Sequence, residues 1–194
     1  ASNVLEKNIA SVIMPIGIDH KDFLKEGTID EIVFEKCSHL LGKSKIFVAE
    51  QKKDVLKKIK IYIDKNSSEK YIFGKNYDYK QNKKGFIYKD ELGKIDLPLP
   101  NLFGDFQISN VSTAISTARN LEQFKITNQH IKQAITKIRS EGRLQVITQG
   151  KLRKYVSKNN IILVDGAHNS LAALAINKYL KKLNSKKKSL WFWE

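Results

Sequence analysis

The run Ile9-Ala-Ser-Val-Ile-Met-Pro-Ile16, the loop from Gly17 to Lys25 and the stretch Thr28-Ile-Asp-Glu-Ile-Val-Phe-Glu-Lys-Cys-Ser-His-Leu-Leu41 set the fold. The first is short and apolar and reads as a buried strand. In the third, Ile29, Ile32, Val33, Cys37 and Leu40 recur at helical spacing and draw one apolar stripe. Ile46 to Ala49 follows as a short strand, and Val55 to Ile63 as part of a helix with Val55, Ile59 and Ile63 inward. The order β-α-β-α predicts a layered α/β fold.

From Lys70 to Leu99 the pattern changes to short strands with Gly, Asp-Tyr and Gln-Asn turns, an antiparallel extension. After Pro98 and Pro100, Gln107 to Leu121 reads as a helix with Ile108, Val111, Ile115 and Ala118 inward. Asn128 to Arg139 reads as another, capped by Thr127. Ser140-Glu-Gly142 breaks the pattern, and strands are expected near Leu144 to Thr148, Leu152 to Val156 and Ile161 to Val164. A helix from about Ser170 to Leu183 and a final strand at Leu190 to Glu194 complete the reading. A domain boundary is placed near residue 141, giving units 1–140 and 141–194.

The chain has 194 residues and 41% apolar composition, enough for one large domain or two small ones. Its net charge of +15 suggests a polyanion partner, yet only four of its 35 basic residues are arginines and the other 31 are scattered lysines. Nucleic-acid readers lean on arginine for base edges and bidentate phosphate contacts, so biased residue usage is the preferred reading and nucleic acid is not the expected partner. ATP and other polyanionic small molecules are still drawn to such a surface. Cys37 stands alone, which excludes an internal disulfide and a cysteine zinc cluster. No apolar run reaches the roughly 18 residues of a membrane span. A soluble, untargeted chain in the reducing cytoplasm is the expectation. The sequence opens on Ala1 and closes on Leu190-Trp-Phe-Trp-Glu194 with neither a turn nor a cap, and both ends read as cut.

Four constellations carry chemistry. Gly17-Ile-Asp-His20 puts a carboxylate and an imidazole on a loop, and Lys36 falls inside the apolar stripe of its own helix. His20 is either a loop histidine satisfied by a backbone group or, with Lys36, part of a metal site. Lys36 either snorkels to water along its stem or, desolvated and neutral, adds carbon dioxide to become a carbamate, an anionic oxygen ligand suited to Mg²⁺. In Leu102-Phe-Gly-Asp-Phe-Gln-Ile-Ser-Asn110, Gln107 and Asn110 share the first turns of a helix. Asn110 serves there as a turn residue or as an amide able to read an adenine edge. Glu141-Gly-Arg143-Leu-Gln145 places an arginine at the hinge, as surface charge or as a clamp on a transferring phosphate. Val164-Asp-Gly-Ala-His-Asn169 follows an apolar strand and precedes a helix. Asp165 there suits a ribose hydroxyl, or else the segment is a plain strand-to-helix turn capped by Asn169 or Ser170.

Taken in order, Ala-Ser-Asn3, Ile16-Gly-Ile-Asp-His20, Phe34-Glu-Lys36, Gly104-Asp-Phe-Gln-Ile-Ser-Asn110, Gly142-Arg-Leu-Gln145 and Asp165-Gly-Ala-His-Asn169 resemble folylpolyglutamate synthase/dihydrofolate synthase, of the Mur ligase superfamily, from residue 1 to about 180. The resemblance implies part of a Mur-ligase-like central ATPase domain followed by the first half of a Rossmann-like C-terminal domain. It implies an ATP-dependent ligase that turns a carboxylate into an acyl phosphate and joins L-glutamate to dihydropteroate or a folate glutamate tail. By the same resemblance His20 is a Mg²⁺ ligand, Lys36 the carbamylated lysine, Asn110 the adenine contact, Arg143 the phosphate contact and Asp165 the ribose contact, with His168 in the same turn. Phe106 stands where the family has His, Cys37-Ser38 where it has Ala-Gly, and Glu141 and Ser170 where it has Pro. The loop between His20 and Lys36 is also one residue longer.

The family's phosphate loop has no counterpart, since no Gly-x-x-x-x-Gly-Lys-Ser/Thr run occurs in the chain. The expectation is a fragment, a remnant, or one piece of a split enzyme whose companion chain brings that loop, without turnover on its own. The other readings are a noncatalytic remnant or basic nucleic-acid-binding module, and a Mur-type amide ligase for a different acid.

Overall fold

The computed structural model describes residues 8–19, 24–38, 40 and 44–183. Its first unit is a three-stranded parallel sheet, β1 (Ala10–Ile13), β2 (Lys45–Val48) and β3 (Lys70–Ile72), in that order across the sheet. The register pairs Ile13 with Val48 and Val48 with Ile72. Helix α1 (Ile29–Cys37) connects β1 to β2 and helix α2 (Lys53–Ile63) connects β2 to β3. A capping box fixes the start of α1: Glu31 N donates to Thr28 Oγ1, and Glu31 Oε2 accepts from Thr28 N. Both helices pack on one face, where Ile32, Val33 and Cys37 meet Val55, Ile59 and Ile63 over Ile13, Ile46, Val48 and Ile72. The inward residues expected of α2 are the ones buried.

Two expectations change here. β1 is shorter than Ile9 to Ile16 and lies at one edge of the sheet, so Ile9, Val12 and Met14 are exposed while Ile13 and Ile16 are buried. Lys70–Ile72 belongs to the parallel sheet, and the antiparallel extension begins only at Tyr77.

That extension is a meander of β4 (Tyr77–Gln81), β5 (Gly85–Asp90) and β6 (Gly93–Pro98). Helix α3 (Phe106–Arg119) is buried on two adjacent stripes. Ile108, Val111 and Ile115 join Tyr77, Phe86, Tyr88, Ile95 and Leu97 in a second core, which also takes Ile131 and Ile135 from helix α4 (Asn128–Lys137). Ser109, Ser112, Thr113 and Ser116 form the neighbouring stripe, and α3 also lies against β2. Small side chains let a helix approach a sheet closely, and the Tyr77 hydroxyl spans the junction. It donates to the Val48 carbonyl at 2.9 Å and lies 3.1 Å from Thr113 Oγ1.

Beyond residue 141 the structure holds a short antiparallel pair, β7 (Gln145–Val146) with β8 (Leu163–Val164), and helix α5 (Ser170–Leu183). Leu152–Tyr155, expected as a strand, is a turn of 3-10 helix. The expected strand at Leu190 to Glu194 lies outside the described residues. Among the described residues no helix is long and apolar enough to cross a membrane.

Candidate active site

The loop leaving β1 is held by one side chain. Gln51 donates from Nε2 to the Met14 carbonyl at 2.9 Å and accepts from Ile16 N at 3.0 Å, so a single amide satisfies both backbone groups. The loop then meets the start of α5. Gly17 makes this possible, because a Cβ there would sit 3.0 Å from the Leu171 Cβ. Asn169 works in two directions: its Oδ1 accepts from Ala172 N at 2.9 Å, and its Nδ2 donates to Asp19 Oδ2 at 2.9 Å. His168 Nε2 lies 3.4 Å from the same carboxylate oxygen, and its Nδ1 lies 2.9 Å from the Gly166 carbonyl. Both neighbours only accept, so the ring donates to one of them when neutral and to both when doubly protonated. These groups stand at a cleft of about 540 Å³, whose walls include Ile18, Ile29, Lys52, Asp54 and Leu174.

The hinge closes on itself beside this cleft. Asp165 Oδ2 accepts from Leu144 N at 2.7 Å, Gly166 N donates to the Gly142 carbonyl at 2.8 Å, and Gly142 N donates to Gln145 Oε1 at 3.0 Å. Leu144 has φ +48, the sole positive value on a non-glycine residue among the described residues. Such a backbone costs on the order of 1–3 kcal/mol and persists only where its surroundings impose it. Here the side chain is buried and the amide is taken by a carboxylate. Gly104, with φ +96, approaches the same leucine: a Cβ on it would come within 3.2 Å of Leu144 Cδ1. The Arg143 guanidinium rests near Gly166, with Nη1 3.6 Å from where a Cβ would project. Leu144 therefore joins the segment from Gly104 to the hinge, and Asp165 joins the hinge to the strand-to-helix turn.

The expected site residues divide accordingly. Arg143, Asp165 and His168 share one connected set of turns, and Asp19 joins them through His168 and Asn169. Asn110 is half-buried on α3 and donates from Nδ2 to Gln107 Oε1 at 3.0 Å. His20 and the segment Ala1 to Asn3 lie outside the described residues.

Lys36 lies on the apolar stripe's helix but is exposed, the arrangement of the first of its two readings, in which the stem snorkels to water. It sits in the last turn of α1, where an ammonium complements the helix dipole and a long stem reaches water. The desolvation argument for a carbamate is therefore gone. Among the described residues no group of three or more His, Cys, Asp or Glu side chains gathers to hold a metal. Burial pushes the Cys37 thiol up from its ordinary 9.0 to about 11, so it is no nucleophile at neutral pH. Sequence reasoning saw the carboxylate of Asp19 but missed its partners and the clamp of Gln51. No local pattern marks a contact across 150 residues.

The mixed α/β architecture is that of a partial Mur-ligase-like fold, as its match to solved structures shows. An FPGS–AMPPCP–folate complex matches it at TM-score 0.78 and 25% identity, over 92% of this chain and 43% of that one. An Escherichia coli FolC bound to DHPP and ADP matches at TM-score 0.76 and 22% identity, a likeness of fold. In sequence, the chain is 30% identical to the dihydrofolate synthase/folylpolyglutamate synthase of Buchnera aphidicola over 95% of its own length. It is 26% identical to the folylpolyglutamate synthase of Lacticaseibacillus casei over 91%. By sequence and fold together the chain is similar to the folylpolyglutamate/dihydrofolate synthases. It spans about two-fifths of the length of these curated relatives, 41% in both cases. No family model matches it.

Proposed function

We propose that the chain is the middle and hinge portion of an ATP-dependent carbon–nitrogen ligase that joins L-glutamate to dihydropteroate or to a folate polyglutamate. The observation that carries this reading is the meeting of Gly142-Arg-Leu-Gln145 with Asp165-Gly-Ala-His-Asn169, two motifs of the resemblance, through the Asp165–Leu144 and Gly166–Gly142 hydrogen bonds. The binding of AMPPCP and folate by the FPGS complex of similar fold supports it. On this reading residues 1–140 are part of the ATP-binding domain and 141–194 part of the C-terminal ligase domain, in the cytoplasm.

ATP supplies the phosphoryl group that activates the acid's carboxylate as an acyl phosphate for attack by the glutamate amine. The chain's own residues bind and orient. Arg143 lies on an exposed turn beside Gly166, where its planar fork meets phosphate oxygens and offsets charge during transfer. Asp165 spends Oδ2 on Leu144 N and offers Oδ1 to a ribose hydroxyl. Asn110 meets the adenine from the first turns of α3, and His168 faces the cleft.

Mg²⁺ wants hard oxygen ligands in octahedral geometry. The described residues do not by themselves make its site, and metal binding by His20 and carbamylation of Lys36 rest on the resemblance alone. The sequence contains no Gly-x-x-x-x-Gly-Lys-Ser/Thr run, so on this reading turnover needs that loop from outside these 194 residues, carried by the rest of a longer chain or by a companion polypeptide. Mixing the chain with such a polypeptide tests this reading. ATP-dependent incorporation of labelled glutamate into dihydropteroate or folate only in the mixture is the expected result. Turnover by the chain alone, or none in a mixture shown to associate, overturns it.

A further inference from the structure

We infer that Asp19 is a positioning residue that latches the first turn of α5 onto the loop leaving β1, and thereby sets where His168 stands in the cleft. The inference goes beyond the ligase reading and stands independently of it, because its readout is not turnover.

Three observations converge on Asp19. Its Oδ2 takes the Asn169 Nδ2 hydrogen at 2.9 Å and faces His168 Nε2 at 3.4 Å, joining residues 150 positions apart. Its side chain is only 24% exposed, so the contact is partly withheld from water, where a charge-assisted hydrogen bond holds better than on an open surface. The anchors on both sides are built. Gln51 clamps the loop through Met14 and Ile16, and Asn169 caps α5 with its other amide atom. Gly17 lets Leu171 close over the loop. The far end of α5 is also held, by the Lys182–Asp105 ion pair and by Tyr179 against Phe103, with ring centroids 6.1 Å apart. A helix tethered at both ends swings only if one tether opens, and Asp19 is the tether at the cleft.

The chemistry permits a reciprocal test. In Asp19→Ala the acceptor is lost. In Asn169→Asp two carboxylates face each other while the cap is kept, since Asp caps a helix as well as Asn. In the Asp19→Asn/Asn169→Asp exchange the hydrogen bond returns with donor and acceptor reversed, and the cap remains. Amide hydrogen exchange in residues 169–174 reads the latch, with the amide of the α2 core residue Ile59 as reference for global opening.

Each single variant is expected to speed exchange at the start of α5 by about tenfold, the worth of one hydrogen bond to a charged group. Ile59 is expected to stay protected, and the double exchange to restore the parent rate. A merely structural loss of side-chain volume is not repaired by the swap. Unchanged rates in both single variants, or no recovery in the exchange, overturn the inference.

Discussion

Arg119 donates from Nε to Asp90 Oδ2 at 2.8 Å, from Nη2 to Asp90 Oδ1 at 3.2 Å and from Nη1 to Asn128 Oδ1 at 3.0 Å. The Tyr88 hydroxyl donates to the same carboxylate at 3.0 Å. With side-chain exposures of 10% for Arg119 and 4% for Asp90, the pair is buried, and truncating one partner strands the other's charge. Arg119→Ala is expected to cost about 3–5 kcal/mol, and Arg119→Lys less, since it keeps the charge and loses the fork. Urea unfolding followed by circular dichroism checks both. None of this network was legible in the sequence, because it links β5, α3 and the start of α4. Lys36 shows the opposite failure. Helical spacing located it on the apolar stripe, but spacing does not say what lies opposite the last turn of a nine-residue helix.

At the scale of elements, the helices were the most legible part of the chain. Thr127 marked the start of α4 and forms a reciprocal cap there, while the matching cap of Thr28 on α1 went unread in the sequence. The helix from Ser170 to Leu183 appears with the expected bounds. Strands were harder. Leu152 to Val156 has apolar ends but no strand beside it among the described residues, and pairing rather than composition decides a strand, so it coils into a 3-10 turn. The three residues of β3 carry too little pattern to tell parallel from antiparallel.

The meander holds one constraint that a motif search passes over. A Cβ on Gly85 would fall 2.1 Å from the Leu97 carbonyl oxygen, in the register that pairs Gly85 with Pro98. Gly85→Ala therefore forces β5 and β6 apart at the edge of the second core. A loss of about 2–3 kcal/mol is expected, read as a lower urea midpoint at unchanged slope. An unchanged midpoint would refute the close approach.

Across the whole molecule, the four constellations come from residues far apart in the chain, and the sequence named them before the contacts that join them were visible. Arg143, Asp165 and His168 were nameable because each sits in a compact local pattern. Their connection through Leu144, Gly166 and Asp19 depends on tertiary contacts that leave no such mark. The excess of positive charge, +15 over 194 residues, favours anionic ligands over the surface as a whole, whatever the geometry of this site. A nucleotide held by the hinge must therefore be separated from general polyanion attraction, and the side chains of the hinge make that separation.

Calorimetric titration of Mg-ATP into the chain, beside Arg143→Ala and Asp165→Ala, tests the central claim most directly. Saturable binding by the parent chain that is lost in both variants, each folded by circular dichroism, is the predicted result. No saturable binding by the folded parent, or binding undiminished in Arg143→Ala, would contradict the claim that this hinge is half of a nucleotide site.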